Sequence, residues 1–345
     1  MDTEHQTSAI VFVGVGTVIS TVGVIGNVLT ICTLLLWKEN RQPKNGFHIS
    51  LAFSDLMVAG IIAPAEYAGN NIDIHDMIIK HLGAILGEKY FNDRYLLCAV
   101  LSTICAPGCS GSMLNMSWIA ISRYYYICDQ NKFQVYFTWQ RIGLYIVLTY
   151  FTSILIQLPN HIGWGRIKFN PGYRYCTVDN TTFSYSVFYA CTVTASVIIT
   201  FIYYWRIYKT IRTSSATRAL IVGRRITESE KRIKDEWRII KTSFKAFVSH
   251  CIAWSPVFIL CLIGFLEHWY TMPVPVFLVA ATLAHGNSTV NFFMFFIDND
   301  TFRGQLIKTT KRLLLVRRKI IPVKSTVNKD TGTDTAGQTK TTATA

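Results

Sequence analysis

The chain has 345 residues, of which 50% are hydrophobic and only 16% charged, where soluble domains carry about a quarter. The net charge of +14 is not spread as a nucleic-acid footprint requires, because the basic residues gather in short stretches between long uncharged ones. This pattern excludes nucleic acid as a partner and gives no sign of an enzyme. It fits a membrane protein with basic loops on one side.

A bilayer core needs about 20 mostly apolar residues per helix. Seven runs meet this, at 9–36, 47–68, 97–122, 142–160, 183–205, 246–266 and 274–297. The predicted fold is an all-α membrane protein, a seven-transmembrane helix bundle over residues 9–297, preceded by a short extracellular N-terminus at 1–8. The first run is read as a span and not a signal peptide, since Asp2 and Glu4 replace the expected basic start. The loops at 38–45, 123–141 and 206–245, with the tail from 298, hold 28 of the 34 Lys and Arg. By the positive-inside rule these are cytoplasmic, which makes the protein a multi-pass plasma-membrane protein with an outside N-terminus.

Between the spans, the long first outer loop carries a candidate surface helix at 80–91. Cys98 opens the third span and Cys176 lies in the second outer loop. Both fall in oxidising space and form the natural disulfide pair. Asn180, in Asn180-Thr181-Thr182, is the glycosylation sequon outside the membrane. Residues 298–320 alternate Leu and Ile with Lys and Arg, the pattern of an amphipathic helix on the membrane surface. Residues 321–345 are Thr-, Lys- and Gly-rich, and are predicted to be a disordered cytoplasmic tail.

Few residues inside the spans are polar enough to carry mechanism. Asp55 is the acid set deepest, at a cost of about 2.5–3.5 kcal/mol even on insertion scales. It is either a neutral structural group or a cation or proton site, with Asn27, Ser112, Asn287 and Asn291 as available partners. Ser122-Arg123-Tyr124 ends the third span. Pro256 removes a backbone hydrogen bond and should kink the sixth span beside Trp254, making a bistable element.

Taken together these residues resemble the rhodopsin-like G-protein-coupled receptors from about Val24 to Arg303. The likeness rests on Gly26-Asn27, on Leu51-Ala52-Phe53-Ser54-Asp55, on the cysteine pair and on Ser122-Arg123-Tyr124. Trp254-Ser255-Pro256, Asn291 and Phe302-Arg303 extend it. In motif detail, Ile121 to Cys128, Leu158-Pro159-Asn160 and Pro171 to Thr177 are similar to melatonin-type receptors.

The resemblance implies a disulfide between Cys98 and Cys176, and G-protein coupling through Arg123, Tyr124 and Tyr204. It implies an activation switch of Trp254, Pro256, His250 and Asn291, and a sodium site at Asp55, Ser112, Asn287 and Asn291. Its ligand pocket would involve Cys105, Cys109, Asn160, Trp254 and His285, with Val178 on the lid. Departures are equally specific. Ser122 replaces the triplet acid, Phe292 to Phe295 lack the family's proline and tyrosine hydroxyl, Ser196 replaces a proline and Tyr150 a tryptophan. Cys105 stands where amine receptors have an Asp, and the last span has no Lys for retinal.

The expected function is transmission of an extracellular signal, from a neutral small molecule or lipid, to a heterotrimeric G protein, with basal activity. Arrestin and receptor kinases would act at the Thr-rich tail, membrane lipid surrounds the bundle, and no cofactor beyond Na+ at Asp55 and no other metal is expected. Two competing readings are a seven-helix proton or cation transporter and a receptor-like scaffold that no longer signals.

Overall fold

The computed structural model describes residues 3–62, 95–170, 175–178, 183–213, 228–265 and 273–320. The candidate helix at 80–91, Asn180 and the tail from 321 lie outside the described residues. Seven long helices form the bundle: α1 (Thr3–Leu36), α2 (Gly46–Met57, continued by a π-turn at Val58–Ile62), α3 (Tyr95–Cys128), α5 (Trp139–Gln157), α6 (Phe183–Thr213), α7 (Glu228–Phe265) and α8 (Val274–Asp298). A short helix, α4 (Gln130–Tyr136), links α3 to α5, and α9 (Asp300–Ile320) follows α8.

The bounds differ from the apolar runs in consistent ways. α1 is helical from Thr3, because nothing in Thr3 to Ser8 breaks a helix. α7 begins at Glu228 and not at 246. Ile233, Trp237, Ile240, Phe244 and Phe247 keep helical spacing there without a Gly or Pro, so the helix continues as an amphipathic extension. Two elements have no hydropathy signature. α4 is capped by Asp129, whose carboxylate accepts from the Lys132 backbone N–H at 3.1 Å. The Lys132 side chain bonds the same group, holding it below the usual carboxylate range. An antiparallel hairpin pairs β1 (Ile167–Asn170) with β2 (Tyr175–Val178), with Phe169 opposite Cys176.

The outer faces are apolar and exposed, as lipid demands: Val147 and Phe151 on α5, Ile198 and Phe201 on α6, and Val279 on α8. Among the described residues, α1, α5, α6 and α7 include stretches long and apolar enough to span by composition. The buried faces of α3 and α8 hold Ser110, Ser112, Asn115, Ser117, His285, Asn287, Ser288 and Asn291. These face the bundle interior, where side chains and not lipid meet them.

Gly26 decides how close α1 and α8 come, since a Cβ there would lie 2.5 Å from the Phe292 ring. Beside it, the Asn27 amide donates to the Ser288 carbonyl at 3.1 Å, joining the same two helices. The Tyr150 hydroxyl reaches α2, 3.0 Å from Ser54 Oγ and donating to the Ser50 carbonyl. At the end of the bundle where α8 finishes, α9 turns under α1, burying Phe302 and Leu306 against Leu34. The Trp37 indole donates to Thr309 at 2.9 Å and the Asn40 amide to Gln305 at 2.7 Å.

Candidate functional site

The centre of the bundle is built around Asp55, which is 2% exposed. Ser112 on α3 donates to one carboxylate oxygen, and the Asn291 amide on α8 donates to the other at 2.8 Å. One carboxylate thus joins α2, α3 and α8. Asn27 and Asn287, also available in the sequence, turn elsewhere. The Asn287 amide lies 2.9 Å from His250 Nδ1, so it joins α8 to α7. The His250 ring stacks at 5.9 Å on Trp254, which also meets His285 at 6.1 Å, edge to face.

Outward of this core, Cys109, Val58 and Trp254 pack together. Of the residues carried over for a ligand pocket, Cys109, Trp254 and His285 therefore share one region. Cys105 stands on α3 and Val178 on β2. Asn160 is drawn to a different group. Its amide donates to the Tyr185 hydroxyl at 2.7 Å and to Gln157 at 3.0 Å, and the Tyr185 hydroxyl donates to the Ile156 carbonyl at 3.0 Å. That network binds the end of α5 to the start of α6. The hairpin covers the outer end of α3 through the Cys98–Cys176 disulfide, with Cα atoms 5.3 Å apart, and Ile167 and Phe169 pack on it.

At the inner end Arg123 is 1% exposed and donates to the Asn45 side-chain oxygen at 3.2 Å. Ser122 does not face it, since its hydroxyl donates to the Ile119 carbonyl within α3 at 3.0 Å. The three tyrosines after Arg123 diverge. Tyr124 packs edge-on against Tyr203 of α6 at 5.4 Å, Tyr125 meets Tyr136 and Phe137, and Tyr126 meets Phe133 of α4. Tyr204 is buried against Phe244 and Phe247 of α7.

The N-terminal extension of α7 is held to the junction of α8 and α9. Lys245 pairs with Asp298 at 2.7 Å and Thr242 donates to the same carboxylate at 3.4 Å. Arg238 donates to the Asp298 carbonyl at 3.0 Å and bonds the Asp300 carboxylate. Arg238 is the main reason the Asp300 carboxyl lies below its ordinary range, with Arg303 adding to it.

Sequence reasoning missed Asn45, Tyr185 and Asp298. An Asp ending the last span opposite a basic inner loop was the available signal for Asp298. Asn45 and Tyr185 carried none, since each acts through a partner far away in sequence. A cavity of about 400 Å³ opens at this inner end, reaching from Asp55 and Asn291 past Arg123 and His48 to Asn299 and Gln305.

Known proteins match this arrangement. Residues 26–294 fit the family described as the 7 transmembrane receptor (rhodopsin family). The melatonin receptor type 1B-B of Danio rerio is 28% identical over 307 residues, covering 86% of this chain and 80% of that protein. The type 1B-A receptor of the same organism is 31% identical over 255 residues, covering 72% and 79%. In structure, squid rhodopsin superposes with a TM-score of 0.71 at 19% identity, covering 92% of this chain and 88% of that one. The chain belongs to the rhodopsin family of seven-transmembrane receptors, and it is a multi-pass plasma-membrane G-protein-coupled receptor similar to melatonin receptors.

Proposed function

We propose that this receptor responds to a neutral, partly aromatic small molecule or lipid, with its N-terminus outside the cell, and that it signals to its G protein even without ligand. The observation that carries the ligand class is the wall formed by Cys109, Trp254 and His285, apolar and aromatic and without a carboxylate to meet an amine. A ligand moving Trp254 would act on His250 and, through Asn287, on the relation of α7 to α8.

Basal activity is supported at the inner end. Arg123 meets the neutral amide oxygen of Asn45, and Ser122 is turned into its own helix. An ion pair beside the triplet is therefore replaced by a hydrogen bond from Arg123 to an uncharged amide oxygen. The contacts of Lys245, Thr242 and Arg238 with Asp298 and Asp300 take over part of the restraint on α7. They lie near the surface, where such pairs contribute about 0–1 kcal/mol.

Na+ suits the donors around Asp55, which are the carboxylate, the Ser112 hydroxyl and the Asn291 carbonyl oxygen. The last of these is buried without a hydrogen-bond partner, and hard oxygens are what such an ion takes. The Thr-rich tail would receive kinases and arrestin. A transporter using Asp55 is not favoured for a member of a receptor family.

The test is a cell-based G-protein activation assay at matched surface expression. The wild-type receptor is expected to exceed mock-transfected cells without ligand, and Arg123→Ala to return to their level. Equal activity in the two would overturn the role of Arg123, and a silent wild type would favour the scaffold reading.

A further inference from the structure

The cytoplasmic cavity contains a histidine that neither the Asp55 core nor the α7 contacts use. His48 on α2 is 6% exposed, and neither ring nitrogen has a hydrogen-bond partner among the described residues. Its ring is fixed edge-on against Phe295 at 5.1 Å, a residue with no hydroxyl to offer it. A buried donor left without a partner is costly, so the imidazole points to an occupant of the cavity it lines.

The charge of the lining identifies the occupant's chemistry. Lys44, Arg123 and Arg238 all line the cavity, and Asp55 is the one acid among its lining residues. Both oxygens of Asp55 already accept hydrogen bonds, from Ser112 and Asn291. The cations hold neighbours too: Lys44 donates to Tyr126 at 3.3 Å, Arg123 to Asn45, and Arg238 to Asp298 and Asp300. Each of these side chains keeps its positive charge while making such contacts. The volume of about 400 Å³ falls within the range of small-molecule sites.

We propose that this cavity binds a phosphate oxyanion, through His48, Lys44 and Arg123, with Arg238 at its rim. The phosphate belongs either to a soluble organophosphate or to a phosphoinositide headgroup of the inner leaflet. Because Arg123 is the G-protein-facing residue of the triplet, the occupant would compete with coupling. Binding itself needs no G protein, so its failure would leave the receptor reading intact.

The experiment uses the full-length receptor in nanodiscs and follows thermal unfolding and direct binding. The probes are inositol trisphosphate in solution and, separately, discs with and without phosphatidylinositol bisphosphate. Either probe is expected to raise the unfolding midpoint, and the one that does so identifies the source. His48→Phe keeps the ring packing and removes the N–H. It is expected to weaken binding by about tenfold or more, the effect of losing a hydrogen bond to a charged group. Lys311→Gln with Arg312→Gln, on the exposed face of α9, should leave the shift unchanged. Should His48→Phe not fold, Lys44→Gln serves in its place, with the same weakening expected. No shift with either probe, an equal shift in the His48 variant, or loss of the shift in the α9 variant would overturn the proposal.

Discussion

The two ends of the bundle are held by different kinds of contact. At the outer end a disulfide ties α3 to the hairpin, and the buried trio of Gln157, Asn160 and Tyr185 ties α5 to α6. At the inner end the corresponding ties of α7 are exposed pairs to Asp298 and Asp300, beside tyrosines packed edge to face. A covalent link and a buried hydrogen-bond network resist relative motion of helices. Near-surface pairs resist it weakly, because water and ions replace them at little cost. The difference suits a receptor whose outer end keeps its shape while its inner end opens to a G protein.

The largest test of this contrast is Cys98→Ala. The bridge spans a sequence separation of 78 residues, and chain-entropy estimates for such a loop give about 4 kcal/mol. Surface expression is expected to be lost. Normal expression and folding would mean the outer end does not depend on its covalent link.

Next in size is Ser122→Asp, which supplies the missing acid beside Arg123. A hydrogen bond to a charged group contributes about 1.5–3 kcal/mol, a factor of roughly 10–150 in the equilibrium. Basal signalling at matched expression should fall, and a rise would remove the missing acid as the origin of basal activity.

Tyr185→Phe deletes the hydroxyl that accepts from Asn160 and donates to Ile156. Leaving buried partners unsatisfied costs about 1–3 kcal/mol, to be read as a lower unfolding midpoint of the purified receptor with coupling retained. An unchanged midpoint would show the outer end held by the disulfide alone.

At the inner end Asp298→Asn weakens the pairing with Lys245. For a near-surface pair of about 0.2–1 kcal/mol the expected rise in basal activity is only about 1.5- to 5-fold. The smallest effect concerns pH. Arg238 depresses the Asp300 carboxyl, so its contact is fully present above the ordinary carboxylate pKa and is lost only as pH falls through the lower, folded-state value. Basal activity should therefore not change through Asp300 on mild acidification from neutral. A change that disappears in Asp300→Asn would contradict this.

Much of this was legible in the sequence, and the reasons are local. Hydropathy located the spans, since a lipid-facing helix must be apolar whatever its neighbours. Asp55 and Arg123 stood out because charge is rare in such segments. The spacing of Leu and Ile among Lys and Arg marked α9, which the structure has at Asp300–Ile320. α4 and the hairpin escaped, because one is stabilised by its cap and by aromatic packing and the other by its disulfide, and neither leaves a periodic signature.

Assignments of polar partners divided on the same principle. That Asp55 needs hydrogen-bonding neighbours follows from the cost of burying it, which the sequence alone expresses. That Ser112 and Asn291 supply them, while Asn287 turns to His250 and Asn27 to the Ser288 carbonyl, depends on the rotation of each helix about its axis. Gly26 against Phe292 is part of what sets that rotation. The sequence by itself determined that the chain spans the bilayer, which of its ends are basic and where its buried charges lie, because transfer from water to lipid is a property of each residue. The tertiary structure alone decided that Arg123 is met by Asn45 and that His48 faces a cavity, because those contacts exist only once separate helices are packed in register.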